Sequence, residues 1–386
     1  MVLIYGVLAA PVEDDPVQEF ENGNRMFSAA LYKELVKETS DNIVISPLSL
    51  DAILSLTYEG AIGETAAEFV SGLHLPNSNE KVQRAYRTVL PKLESSSDTL
   101  ELLSANRIYI AEDVVLEDEF SSIAANVYRS GVAQIGFSDS TAAADEINRW
   151  VEEETNQKVR NLIDSSNIDA NTRMVLVNTL YLSGQWRQPF QTYPEPRSFY
   201  RSKDDAVYVT MMLAEQYVNY WKNDELNARF VELPLQGANI SMVIALPNEV
   251  DGLADLENNV ELVLRTPPKV CLLRPVEILL PRFSVETKTK FVPVLQNLGI
   301  QRAFSRRAQL SGISSTDKSL YVTDVIQKTY LNVTEGGIEA AAATEDVKSA
   351  LPDVLVPFIQ FEADRPFLYY IRQNGVILFS GRYVGP

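Results

Sequence analysis

An apolar, strand-like segment, Tyr330-Leu331-Asn332-Val333, runs into Glu335-Gly336-Gly337-Ile338-Glu339-Ala340-Ala341-Ala342-Ala343-Thr344, and the chain becomes strand-like again at Phe358-Ile359-Gln360-Phe361. Taken alone, four consecutive alanines read as one turn of exposed helix, because alanine is the best helix former. Between two strand-like segments a second reading opens. Small side chains can slide between two existing strands where a large residue would clash with the packed face of the sheet. Gly336 and Gly337 supply a hinge. A loop of this make-up could be presented to a protease as an extended substrate, and after cleavage its N-terminal part could pair as a new strand. Each inserted residue bonds on both flanks and advances about 3.3 Å, so roughly a dozen residues carry an attached protease about 40 Å.

Upstream of this segment, Ser46-Pro47-Leu48-Ser49 opens a helix. Ser46 caps it, Pro47 suits its first turn, and Leu50, Ile53, Leu54 and Thr57 recur at helical spacing before Gly60. A second helix is predicted from Ala142 to Ile163, with Ile147, Trp150, Val151, Val159 and Ile163 near one stripe. Strands are predicted at Met174 to Val177, at Met242 to Leu246, over Val276 to Val285 around Pro281, and twice between Leu368 and Phe379. Helices gather in the first half and strands in the second, which indicates an α+β protein. No Pro/Gly/Ser-rich stretch divides the chain, so residues 18–386 read as one domain. Residues 1–17 carry an apolar run from Val2 to Val12 that is too short to span a bilayer. It reads as a truncated or atypical secretory signal in preference to a plain disordered terminus, so the expected location is extracellular.

The 386 residues are 46% hydrophobic and 22% charged, the composition of a globular protein. A net charge of −18 argues against nucleic acid and anionic membranes as partners. One histidine, His74, and one cysteine, Cys271, leave no basis for an intramolecular disulfide or a zinc site. His74 is read as a packing or surface residue at a helix end and Cys271 as a buried inert thiol. No phosphate loop, nucleophile elbow, His-Glu-x-x-His or Cys-x-x-Cys is present. The expectation is a protein that is not an enzyme and carries no metal or cofactor.

Several spaced motifs resemble those of the serpins. Asn42 to Ser49 with Gly60-Ala61-Ile62-Gly63-Glu64-Thr65 is similar to the family's first signature, and Leu176 to Trp186 followed by Pro189-Phe190 to its central one. Glu335 to Thr344 resembles the hinge. Phe361-Glu362-Ala363-Asp364-Arg365-Pro366-Phe367 and Gly381 to Pro386 resemble the C-terminal signature. The resemblance implies a metastable fold of three β-sheets and eight or nine helices, with an exposed reactive-centre loop at about residues 336–360. It implies a suicide substrate whose partner is a serine or cysteine protease, acting as a monomer. Ser46, Ser49 and Asn178 match a polar cluster under the sheet opening, and Trp186 an aromatic at its top, unless Trp186 is an ordinary core residue. Arg282 and Glu335 match a basic and acidic pair near the hinge. Gln327 stands where the family usually has histidine; an amide both donates and accepts, but brings no imidazole pH sensitivity.

Ile338 stands where the family commonly has Thr or Ser. If inward positions alternate through Ala340, Ala342 and Thr344, Asp346 and Lys348 also point inward, at a cost unless they pair or reach solvent. Ile338 and those two charges motivate the alternative of a non-inhibitory storage or ligand-carrying serpin cleaved as a plain substrate. Family spacing forward from Gly337 puts the scissile bond after Leu351, although Pro352 follows; spacing back from Pro366 puts it after Leu355. Ala350 is a further candidate, and Lys348 is the basic residue a trypsin-like target would need. Asn239-Ile240-Ser241 and Asn332-Val333-Thr334 are glycosylation candidates.

Overall fold

The computed structural model describes residues 16–93, 98–237, 239–265, 273–339 and 357–386. Nine helices form among them: α1 Pro16–Leu35, α2 Pro47–Glu59, α3 Gly63–Leu73, α4 Asn79–Leu93, α5 Asp118–Asn126, α6 Ser140–Glu154, α7 Leu253–Asn258, α8 Val260–Val263 and α9 Val292–Asn297. The strands, in chain order, are β1 Ile43–Ile45, β2 Leu100–Ala111, β3 Gly131–Ile135, β4 Met174–Gln185, β5 Gln191–Thr192, β6 Arg197–Ser202, β7 Asp205–Val209, β8 Met211–Asn223 and β9 Ala228–Pro234. They continue with β10 Ile240–Pro247, β11 Leu273–Pro281, β12 Phe283–Lys290, β13 Asp324–Val333, β14 Gly337–Ile338, β15 Ile359–Glu362, β16 Phe367–Gln373 and β17 Val376–Tyr383.

Three sheets result. A six-stranded sheet has the order β12-β13-β14-β4-β2-β3, a nine-stranded one the order β1-β17-β16-β10-β9-β8-β11-β15 with β5 beside β8, and β6 pairs with β7. Phe283 of β12 stacks among Phe367, Tyr369 and Tyr383, with ring centroids 4.7–5.8 Å away, and so joins the two large sheets through one aromatic cluster. α2 is buried at every position from Pro47 to Tyr58, as expected of a helix that is apolar nearly all round. It lies against β2, β4 and β17. Its start follows the sequence reading: the Ser46 hydroxyl accepts from the Ser49 N–H, and Pro47 opens the first turn. β4 is buried without a break from Met174 to Leu182, the pattern of a strand covered on both faces.

Two element boundaries differ from expectation. The second predicted helix stops at Glu154 instead of reaching Ile163, because Asn156, Gln157 and Asn161 adopt left-handed backbone conformations that end α-helical geometry. Val159 and Ile163 are nonetheless buried, so the apolar stripe marked core correctly and helix wrongly. The predicted strand through Pro281 is two strands in two sheets: β11 ends at Pro281, and the chain passes through exposed Arg282 into β12. His74 caps α3 in the left-handed conformation, and burial lowers its pKa. No helix among the described residues is long and apolar enough to cross a membrane. Cys271 and residues 1–15 lie outside the described residues.

Candidate functional site

β14 is two residues long and sits between β13 and β4. Ile338 faces Gly184 of β4 on one side and Val333 of β13 on the other, and Gly337 faces Gln185. A tight turn delivers it: the Thr334 N–H donates to the Gly337 carbonyl at 2.9 Å and the Gly337 N–H returns a bond at 3.2 Å. Gly337 has φ +153°, and a Cβ there would run into the Gly184 carbonyl and Gln185, so only glycine passes. Ile338 is fully buried, which removes a large apolar side chain from water at the first inserted position.

The expected loop of residues 336–360 is therefore not exposed along its whole length. Gly336 to Ile338 are buried and Ile359 and Gln360 belong to β15, which runs parallel to β11. The upper ends of β4 and β13 are already apart and offer backbone partners on both sides, which is why the hinge seats there. Ala340 to Ala343, Thr344, Asp346, Lys348, Ala350, Leu351 and Leu355 all lie outside the described residues.

At Glu339 the extended backbone of β14 ends. Glu339 has φ +52°, and its N–H donates to the Asn332 carbonyl at 2.7 Å. Its carboxylate accepts from the Tyr181 hydroxyl at 2.5 Å and from the Lys158 ammonium at 3.4 Å. Burial, reinforced by the bond to Glu339, pushes the Tyr181 hydroxyl up to about 12. Bonding to Tyr181, with Glu339 beside it, raises the Lys158 ammonium. Nothing in the local sequence marked Lys158 and Tyr181 as partners of the hinge, since they meet Glu339 only through the tertiary fold.

On the other flank, the segment from Trp186 to Phe190 holds the turn from outside. The Trp186 N–H donates to the Gly336 carbonyl at 3.0 Å, the Phe190 N–H to the Glu335 carbonyl at 2.8 Å, and the Trp186 indole N–H to the Thr334 carbonyl at 2.9 Å. Trp186 is thus both core and hinge contact. Glu335 is buried and accepts from the Thr192 hydroxyl at 2.8 Å. Arg282 is exposed, and among the described residues no ion pair joins it to Glu335: the carboxylate is turned toward β5.

Below β14 the gap closes. β13 and β4 pair directly in parallel, from Asp324 opposite Val175 to Thr329 opposite Leu180. Gln327 and Asn178 are register partners on this seam, and their side-chain amides are hydrogen-bonded, Gln327 donating. Gln327 also donates to the Ser46 carbonyl and accepts from the Ser46 N–H, each at 2.9 Å, and accepts from the Thr329 hydroxyl at 3.2 Å. Asn178 in turn donates to the Ser49 hydroxyl at 2.5 Å and to Asn106. The amide at position 327 thus uses all its hydrogen-bonding capacity. Asn106 was not singled out from the sequence; it shares one face of β2 with Leu100, Leu102, Ile108 and Ile110, and donates to Ser104 on that face at 3.1 Å. The arrangement can do two things chemically: bind the seam shut through one polar cluster, and offer a strand-width entry at its top. Of the glycosylation candidates, Asn239 is exposed beside β10, whereas Asn332 is half-buried on β13 and the Thr334 of its sequon donates its hydroxyl to Gly337 at 3.0 Å.

The family model described as Serpin (serine protease inhibitor) matches residues 22–386. Alaserpin of Manduca sexta is 33% identical over 100% of this chain and 99% of its own length, and Antitrypsin of Bombyx mori is 32% identical over 94% and 93%. The crystal structure of Serpin48 of Tenebrio molitor, titled a highly specific serpin, superposes with a TM-score of 0.88 at 35% identity, over 98% of this chain and 100% of that one. With a hinge seated between two strands of a six-stranded sheet and a family match across almost its whole length, this chain belongs to the serpin family.

Proposed function

We propose that this protein inhibits a serine or cysteine protease as a suicide substrate. The observation that carries the reading is the seating of Gly337 and Ile338 between β4 and β13, with four alanines next in the chain. The protease attacks a bond in the loop, at Leu351, Leu355, Ala350 or Lys348, and forms an acyl-enzyme. Strand insertion then proceeds from Ile338 down the seam, separating Gln327 from Asn178 residue by residue. Each inserted residue exchanges one direct β13–β4 ladder for two new ones. Catalysis belongs to the protease; this chain supplies the substrate bond and the insertion. The protein acts as a secreted monomer.

Incubation with chymotrypsin-, elastase- and trypsin-like serine proteases and a cathepsin-like cysteine protease tests this. At least one protease is expected to give a covalent complex that survives denaturing electrophoresis. Mass spectrometry of the released C-terminal fragment then identifies the scissile bond. Complete loop cleavage without any complex, across the panel, contradicts the proposal and supports a plain-substrate serpin.

A further inference from the structure

β8 changes partner along its length. From Met211 to Asn219 it pairs with β11, and from Asn219 to Asn223 with β9. Where it departs from β9 a fork opens in the nine-stranded sheet, and the fork holds a cavity of about 360 Å³. That volume lies in the range of small-molecule sites.

The cavity has the makings of a ligand site. Gln216 lines it, is only 4% exposed, and has no side-chain hydrogen bond to any described residue. Its amide atoms are not sealed off from open space, so the amide opens into the cavity, where a ligand would satisfy it. Glu232, also in the wall, is already occupied: it accepts from Ser241 at 2.5 Å, Asn219 at 3.0 Å and Arg372 at 2.7 Å. Arg187 is exposed at the rim and has no ion-pair partner among the described residues. Tyr217 and Leu273, two of the exposed large apolar side chains, form the lip.

We propose that the fork binds a small aromatic carboxylate: Arg187 takes the carboxylate, Gln216 hydrogen-bonds the buried end of the ligand, and Tyr217 and Leu273 cover its apolar body. Arg187 belongs to the segment from Trp186 to Phe190, which holds the hinge turn by the backbone bonds to Gly336 and Glu335. Occupancy therefore stiffens the outer clamp of the hinge. This second step rests on the hinge reading above; binding itself does not.

Calorimetric titration of the full chain with indole-3-acetate and its neutral counterpart indole-3-acetamide tests the site without any protease. Saturable binding of the carboxylate is expected, with the amide roughly tenfold weaker. Arg187→Ala should lose roughly tenfold in affinity, Gln216→Leu roughly fivefold, and Gln216→Glu at least as much through like-charge repulsion. Arg201→Ala, a cation paired with Asp205 on the β6–β7 hairpin, should be unchanged. Absence of saturable binding, or binding insensitive to both Arg187 and Gln216, overturns the site. Hydrogen exchange at Trp186, Phe190 and Gly337 should slow with ligand bound; unchanged exchange there overturns the coupling. Both readouts stand whether or not the protein traps a protease.

Discussion

On the proposed mechanism, Ala342→Arg is expected to turn the protein from an inhibitor into a substrate, while Ala341→Arg is expected to leave trapping intact. The Ile338 side chain is fully buried between β4 and β13 and so fixes the inward face of the inserting strand. Side chains alternate along a strand, which puts Ala340 and Ala342 on the same inward face and Ala341 on the outward one. An inward guanidinium must give up its water to a core that offers it no partner, at a cost of several kcal/mol. In the proposed mechanism insertion competes with hydrolysis of the acyl-enzyme, and about 3 kcal/mol on the insertion barrier would shift that contest by roughly a hundredfold. Quantifying covalent complex against cleaved free protein for both variants checks this. Equal trapping by the two variants contradicts the assigned parity.

Asp51→Asn makes the protein more stable at pH 8 than the parent and flattens its stability between pH 5 and pH 8. Asp51 is fully buried on α2; burial raises its carboxyl from 3.8 to about 7, against the opposing hydrogen bonds of Tyr86 and Ser55. The Ser55 hydroxyl lies 3.3 Å from the carboxylate and takes a bond from Tyr86 at 3.1 Å. No cation stands among the groups that act on Asp51, so only these two hydrogen bonds oppose the effect of burial. Because the folded pKa is above the unfolded one, the folded state holds the proton longer. Stability is therefore highest below about pH 4 as far as this group is concerned, and declines as pH rises toward 7. The full difference amounts to about 4 kcal/mol at most. Urea midpoints at pH 5 and pH 8 measure it: the parent should lose stability between them and Asp51→Asn should not. A parent curve as flat as the variant's contradicts the buried-carboxyl account.

Local chemistry was legible in the sequence, and non-local partners were not. Ser46 and Pro47 announced α2 because capping and φ restriction act within one turn. The apolar stripe through Val159 and Ile163 correctly indicated burial, but periodicity alone did not detect the left-handed Asn156 and Gln157 that end α6. Gly336, Gly337 and the alanines identified the hinge, yet its seating depends on Gly184, on Gln185 and on the Trp186 to Phe190 clamp, some 150 residues earlier in the chain. Glu339 is likewise held by Tyr181 and Lys158, which no spacing connects to it. Asn106 completes the seam cluster from β2, and the expected Arg282 and Glu335 pair is replaced by Glu335 bonded to Thr192. In each case the missing information was which distant backbone would be adjacent.

The crystal structure of the protein cut in its loop tests the account most directly. Ala340 to Ala343 are expected to continue β14 down between β4 and β13, with Gln327 and Asn178 moved apart and a six-stranded order completed along the full seam. Finding the alanines outside the sheet, with Asp324 to Thr329 still paired to Val175 to Leu180, would contradict it.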